Sequence, residues 1–135
     1  MTPSSSQIHE PQLIRAFILP QRQSRYLELL ANPRRRHDLT RELAHFKHLD
    51  PNYAFTLPPG RKWATDICEL LKSKGAPEIC YAISEDNDID GKELALRDAL
   101  DTIVGGGIGT FLSCVPGRLA YFEDEDGRFI LERTK

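Results

Sequence analysis

Residues 110–133 read TFLSCVPGRLAYFEDEDGRFILER, and this stretch decides the fold class. Three apolar-rich segments are separated by two turn signals, Pro116-Gly117 and Asp126-Gly127. Pro presets a turn's backbone, and Gly supplies conformations that other residues avoid. Asp-Gly is also among the strongest hairpin dipeptides. The segments therefore predict three strands in an antiparallel meander. Placing Asp126-Gly127 at the tip pairs Glu125 with Arg128, Asp124 with Phe129, Glu123 with Ile130 and Phe122 with Leu131. Opposite charges then meet near the turn and apolar groups further in, so the register is self-consistent.

Upstream, Gly105-Gly-Gly-Ile-Gly109 ends an apolar-periodic segment with Leu96, Leu100, Ile103 and Val104 on one helical face. Asp90 with Glu93 three residues on predicts the capping box of that helix. Before it, Glu78–Ser84 is a strand-like apolar run, and strand-helix-strand over 78–115 suggests one right-handed parallel crossover. Ala64–Lys74 reads as a helix stopped by Gly75 and Pro77, with Ile67, Leu70 and Leu71 buried. Residues 50–62, with Pro51, Pro58, Pro59 and Gly60, read as a loop.

Nearer the start, Asn32-Pro33 signals a helix running to about Leu49, with Leu39, Leu43, Phe46 and Leu49 as its apolar stripe. Ser24–Ala31 gives a shorter helix, and Leu13–Leu19, ended by Pro20, a buried strand. Residues 1–11 read as a disordered tail and 12–135 as a single α/β domain. The expected architecture is α/β (α+β), a mixed sheet of about five strands packed against about four helices.

Composition bounds the function classes. With 135 residues, 40% of them hydrophobic and 28% charged, the chain has ordinary globular values and can build a core without metals or disulfides. No apolar stretch is long enough to span a membrane, and the first residues carry no export signal, so a cytoplasmic chain is expected. Cys68, Cys80 and Cys114 are odd in number and widely spaced, which predicts free thiols and no structural zinc site. The net charge of −2 divides unevenly. Residues 1–62 hold ten Lys/Arg against five Asp/Glu, and residues 63–135 hold eight against fifteen. Such asymmetry marks either an interaction surface or two halves that attract each other.

Each motif with chemical content has a plainer reading. Asp86-Asn-Asp88-Ile-Asp90-Gly91 supplies the first half of a calcium loop, but Arg97 stands where the closing Glu belongs. The glycine run resembles a phosphate loop in composition only, because it follows a helix and precedes a strand. Glu42, His45 and His48 share a helical spacing that could hold a metal, yet no second helix carries a matching set. The acidic tip Glu123–Asp126 could hold Mg²⁺ for a nuclease, but such a run at a turn tip is more often a solvated edge. No cofactor and no metal are expected.

Arg34, Arg35 and Arg36 begin the expected second helix, where they oppose its dipole without an evident structural reason. Arg34, His37, Arg41, His45 and His48 lie on the side opposite the apolar stripe and form a basic ridge. The partner-binding residues read from this pattern are Arg34, Arg35, His37, Arg41, His45 and His48.

The segments Lys74–Pro77, Cys80–Ser84, Gly109-Thr110, Ser113–Tyr121 and Ile130–Arg133 together resemble a family of small uncharacterised bacterial α/β proteins. That resemblance covers most of the chain after Leu13 and implies no activity. Three readings of function stay open. One is a non-enzymatic binding or regulatory module acting through protein contacts, towards which the balance leans. The others are nucleic-acid or polyanion binding through the ridge, and a small hydrolase or nuclease built from scattered carboxylates. Neither enzyme activity nor oligomeric state is fixed by the sequence.

Overall fold

The C-terminal meander is the frame on which everything else hangs. In the computed structural model, which describes residues 2–133, β4 (Thr110–Val115), β5 (Leu119–Glu123) and β6 (Arg128–Glu132) are consecutive antiparallel neighbours. β1 (Ala54–Thr56) adds beyond β6, while β2 (Ile79–Ser84) and β3 (Glu93–Ala95) add beyond β4. The sheet has six strands in the order β1-β6-β5-β4-β2-β3. Every pairing is antiparallel, so the expected mixed sheet of about five strands is corrected on both counts.

The parallel crossover fails because of β3, three residues that pair with β2 and turn the chain round before the next helix starts. β4 then runs against β2, with Tyr81 opposite Ser113 and Ile83 opposite Phe111. The apolar runs of β2 and β4 resemble buried parallel strands because both faces of this antiparallel sheet are covered. On one face Tyr81, Ile83, Phe111 and Phe122 pack beneath α1 (Ser5–Phe17), α2 (Pro20–Ala31) and α3 (Arg36–Thr40). On the other, Cys80, Ala82, Leu112 and Tyr121 pack beneath α4 (Ala64–Ser73) and α5 (Leu96–Ile103). The result is three layers with two cores.

The N-terminal layer departs furthest from expectation. In place of a tail to residue 11 and a strand over 13–19, one helix runs from Ser5 to Phe17. Ser4 and Gln7 form its capping box: the Ser4 hydroxyl accepts the Gln7 amide proton, and the Gln7 side chain accepts that of Ser4. Glu10, Leu13, Ile14 and Phe17 are its buried face, a helical spacing hidden inside an apolar run. Pro20 starts α2 instead of stopping a strand, as Pro at the first helical position can. The long helix expected to Leu49 is α3, a 3₁₀ turn over Arg41–His45, and extended chain bridged to Ile18 through Leu49. Among the described residues there are five α-helices where about four were expected.

Two local expectations also change. Helix α5 starts at Leu96, so Asp90 is not its cap. The hairpin register slips by two: Glu123 faces Arg128 and Phe122 faces Phe129, leaving Asp124–Gly127 as the loop. Asp124 causes this, because its carboxylate accepts the amide protons of Asp126, Gly127 and, across the structure, Phe46. A side chain that closes three backbone donors fixes a wider turn than Asp-Gly alone would form.

Candidate functional site

A cleft of about 480 Å³ lies where α1, α2 and the chain entering α3 converge. Pro11, Leu27, Leu30, Ala31 and Pro33 give its apolar walls; Glu10 and Arg36 stand at its polar end. The cores pack on the sheet, but α1 and α2 leave this seam between them open. Its polar end is a charged cluster assembled from four distant parts of the chain.

Arg36 is the hub. Its Nε and Nη2 donate to the two Asp90 oxygens at 2.7 and 3.0 Å, and its Nη1 lies 2.7 Å from Glu10 Oε2. Tyr81, rising from β2, donates its hydroxyl to the same Glu10 oxygen at 2.5 Å. Asp90 Oδ1 also accepts the amide proton of Ser84. Burial opposes the guanidinium's charge, but the hydrogen bond to Asp90 and the charges of Glu10 and Asp90 outweigh it and raise the Arg36 pKa. Burial and the bond to Glu10 likewise raise that of Tyr81. His9 stacks on the Tyr81 ring with centroids 5.3 Å apart, and its Nδ1 lies 2.7 Å from Ser113 Oγ. Burial lowers its pKa against the pull of Glu93.

The residues singled out in the sequence scatter. Arg34, Arg35, His37 and Arg41 are exposed, and Asp38 pairs with both Arg35 and Arg41 at 3.4 and 3.2 Å. His45 turns to the hairpin, with Nδ1 3.0 Å from Asp126 and Nε2 3.1 Å from Glu125. Its bond to Asp126 raises its pKa. His48 packs against Phe46 and Tyr26, and Glu42 accepts the Tyr26 hydroxyl proton. The ridge is therefore not one helical face, and Glu42, His45 and His48 do not converge. In the Asp86–Asp90 loop, Asp86 accepts the Asp88 amide proton and Asp90 is taken by Arg36. No group of three or more His, Cys, Asp or Glu among the described residues is placed to hold a metal.

The glycine run has an occupant from its own chain. Gly105 and Gly107, both with positive φ, donate their amide protons to Glu123 Oε2 at 2.9 and 3.0 Å. Tyr121 donates to Oε1 at 2.7 Å, and Arg128 lies 3.6 Å away. The loop does cradle an anion, and that anion is a buried side chain. Gly109 serves packing: a Cβ there would fall 2.2 Å from the Leu43 backbone. Cys68, Cys80 and Cys114 are free and buried, and burial pushes the Cys80 thiol up to about 12, far from a reactive thiolate.

Sequence reasoning missed Glu10, Tyr81, Asp90 in its pairing role, and Arg36. One signal was present, since three arginines at a helix start asked for a structural reason and Arg36 has one. Residues 50–62 were expected to be a loop, but Ala54–Thr56 within them is β1, and Trp63, beside the loop 57–62, was not singled out. There Trp63 is 67% exposed, and Lys62 Nζ sits 5.5 Å from its ring centroid. Arg128 fixes the loop by donating to the Lys62 carbonyl. Arg61 and Lys62 themselves enter no ion pair among the described residues. No helix among the described residues is long and apolar enough to cross a membrane. No protein-family model, curated protein or solved structure matches the chain.

Proposed function

We propose that this chain is a non-enzymatic binding module that acts through protein contacts, with its docking surface on the 57–63 loop. The observation that carries this is Trp63, two-thirds exposed beside the unpaired cations Arg61 and Lys62. Trp and Arg are both enriched among the residues that dominate protein interfaces. The partner surface that complements the loop is acidic with an apolar centre: carboxylates would meet Arg61 and Lys62, and a hydrophobic side chain would meet the indole. The ridge is the weaker candidate, because Asp38 neutralises its middle and Glu125 and Asp126 take His45. The hydrolase reading draws on carboxylates that already have other work: Glu123 and Asp124 are consumed by backbone amides.

The test places the photo-crosslinking residue p-benzoylphenylalanine at position 63 in the producing cells and maps adducts by mass spectrometry. The expected result is one dominant protein adduct whose linked peptide is rich in Asp and Glu, lost when Arg61 and Lys62 are changed to Glu. Adducts to nucleic acid, or protein adducts indifferent to that charge reversal, contradict the proposal.

A further inference from the structure

We propose that the cleft between α1, α2 and the start of α3 binds a small apolar ammonium compound, its cation against Glu10 and its hydrocarbon between Pro11, Leu27, Leu30 and Pro33. The inference is independent of the docking reading. It stands on three observations that converge on one carboxylate.

The first is an open acceptor. Glu10 is only 5% exposed, yet its two oxygens are used unequally. Oε2 takes both Tyr81 and Arg36, whereas Oε1 accepts from no group among the described residues. No side-chain oxygen or nitrogen among the described residues is both sealed from solvent and unbonded, so Oε1 is the accessible oxygen of this carboxylate, and a carboxylate can accept at both of its oxygens. Asp90 offers no such vacancy, because Arg36 and the Ser84 amide engage both its oxygens.

The second is charge. Glu10 and Asp90 carry two negative charges and Arg36 one positive, so the cluster has a surplus carboxylate held away from water. His9, the other basic group in contact with Tyr81, has its pKa lowered by burial, and its Nδ1 bonds Ser113 and not Glu10. A cation entering the cleft would offset the surplus. An anion would have to recruit Arg36, three of whose N–H groups already point at carboxylates. The third is shape. A cleft of about 480 Å³ lies within the roughly 300–1,000 Å³ of small-molecule sites, and five of its nine lining residues are apolar, beside Ser6, Gln7, Glu10 and Arg36.

Titration of the ¹⁵N-labelled chain with isopentylamine and 2-phenylethylamine, followed by amide chemical shifts, tests this directly. Isopentanol and isovalerate serve as the neutral and anionic counterparts. The amines are expected to move the Ser6, Gln7, Leu30 and Ala31 amides saturably, at least tenfold more tightly than either counterpart. Glu10→Gln keeps the acceptor for Tyr81 but removes the charge, and should weaken the amines at least tenfold while leaving the alcohol unchanged. Ala31→Phe fills the cleft from its exposed wall, away from the ion pairs, and should weaken amines to the same degree. Isovalerate binding as tightly as isopentylamine, shifts confined to other surfaces, or no saturable shift overturns the proposal. Should Glu10→Gln fail to fold, unchanged amine affinity in Ala31→Phe overturns it equally.

Discussion

Two glutamates are buried among the described residues, and they are finished differently. Glu123 sits in the glycine loop with both oxygens occupied, by two backbone amides and a tyrosine hydroxyl, and with an arginine beside it. Glu10 has a tyrosine and an arginine too, but both converge on one oxygen, and the other borders a cleft. A buried carboxylate closed by its own chain is a structural element, since every bond it makes is lost when the chain unfolds. One left half-closed beside a cavity holds capacity in reserve. The comparison explains why a glycine-rich run that resembles a phosphate loop is occupied, while the site with room for a ligand carries no motif.

The largest expected effect separates the two arginines. Arg36→Met leaves Glu10 and Asp90 facing each other with no cation, and breaking such a buried pair costs about 4 kcal/mol. Arg128→Met leaves Glu123 its amides and Tyr121, and Arg128 is more exposed and more distant, so about 1 kcal/mol is expected. Urea unfolding of both variants measures the difference; equal losses would break the comparison.

A smaller effect separates two histidines. The His45 pKa is raised, so its tie to the hairpin is fully present below pH 6.5 and fades as pH rises through its folded value. The His9 pKa is lowered, so protonating it opposes folding as pH falls below 6.5. Proton NMR titration of the two rings should give midpoints on opposite sides of 6.5. Coinciding midpoints would show that the two environments are alike.

The C-terminal half was legible because its signals are local. Strands β2, β4, β5 and β6 and helix α4 follow from apolar runs punctuated by Gly and Pro. What defeated sequence reading was sequence-distant or doubly coded. Leu13–Leu19 satisfies both a strand run and a helical stripe, and the Ser4–Gln7 cap that decides between them lies outside the run. Three-residue β3 gives no periodic signal, yet it reverses the sense of everything after it. Asp90 read as a cap because D-x-x-E is a local pattern, whereas its real partner, Arg36, comes from the first half of the chain. The charge asymmetry left two readings open, an interaction surface or attraction between the halves, and the pairs of Arg36 with Asp90 and His45 with Asp126 fit the second. The cleft itself was invisible: no sequence pattern tells how two helices leave a gap.

The direct test of the account is the same conservative change at both carboxylates, Glu10→Gln and Glu123→Gln, read by urea unfolding. At position 123 the amide sacrifices charge-assisted bonds and sets an NH₂ group among donors, and about 2 kcal/mol of stability should be lost. At position 10 it keeps one acceptor for Tyr81, turns its NH₂ to the open side and removes the surplus charge, so the loss should stay below about 1 kcal/mol. A Glu10→Gln loss equal to or larger than that of Glu123→Gln would contradict the claim that one carboxylate is closed and the other is waiting for a ligand.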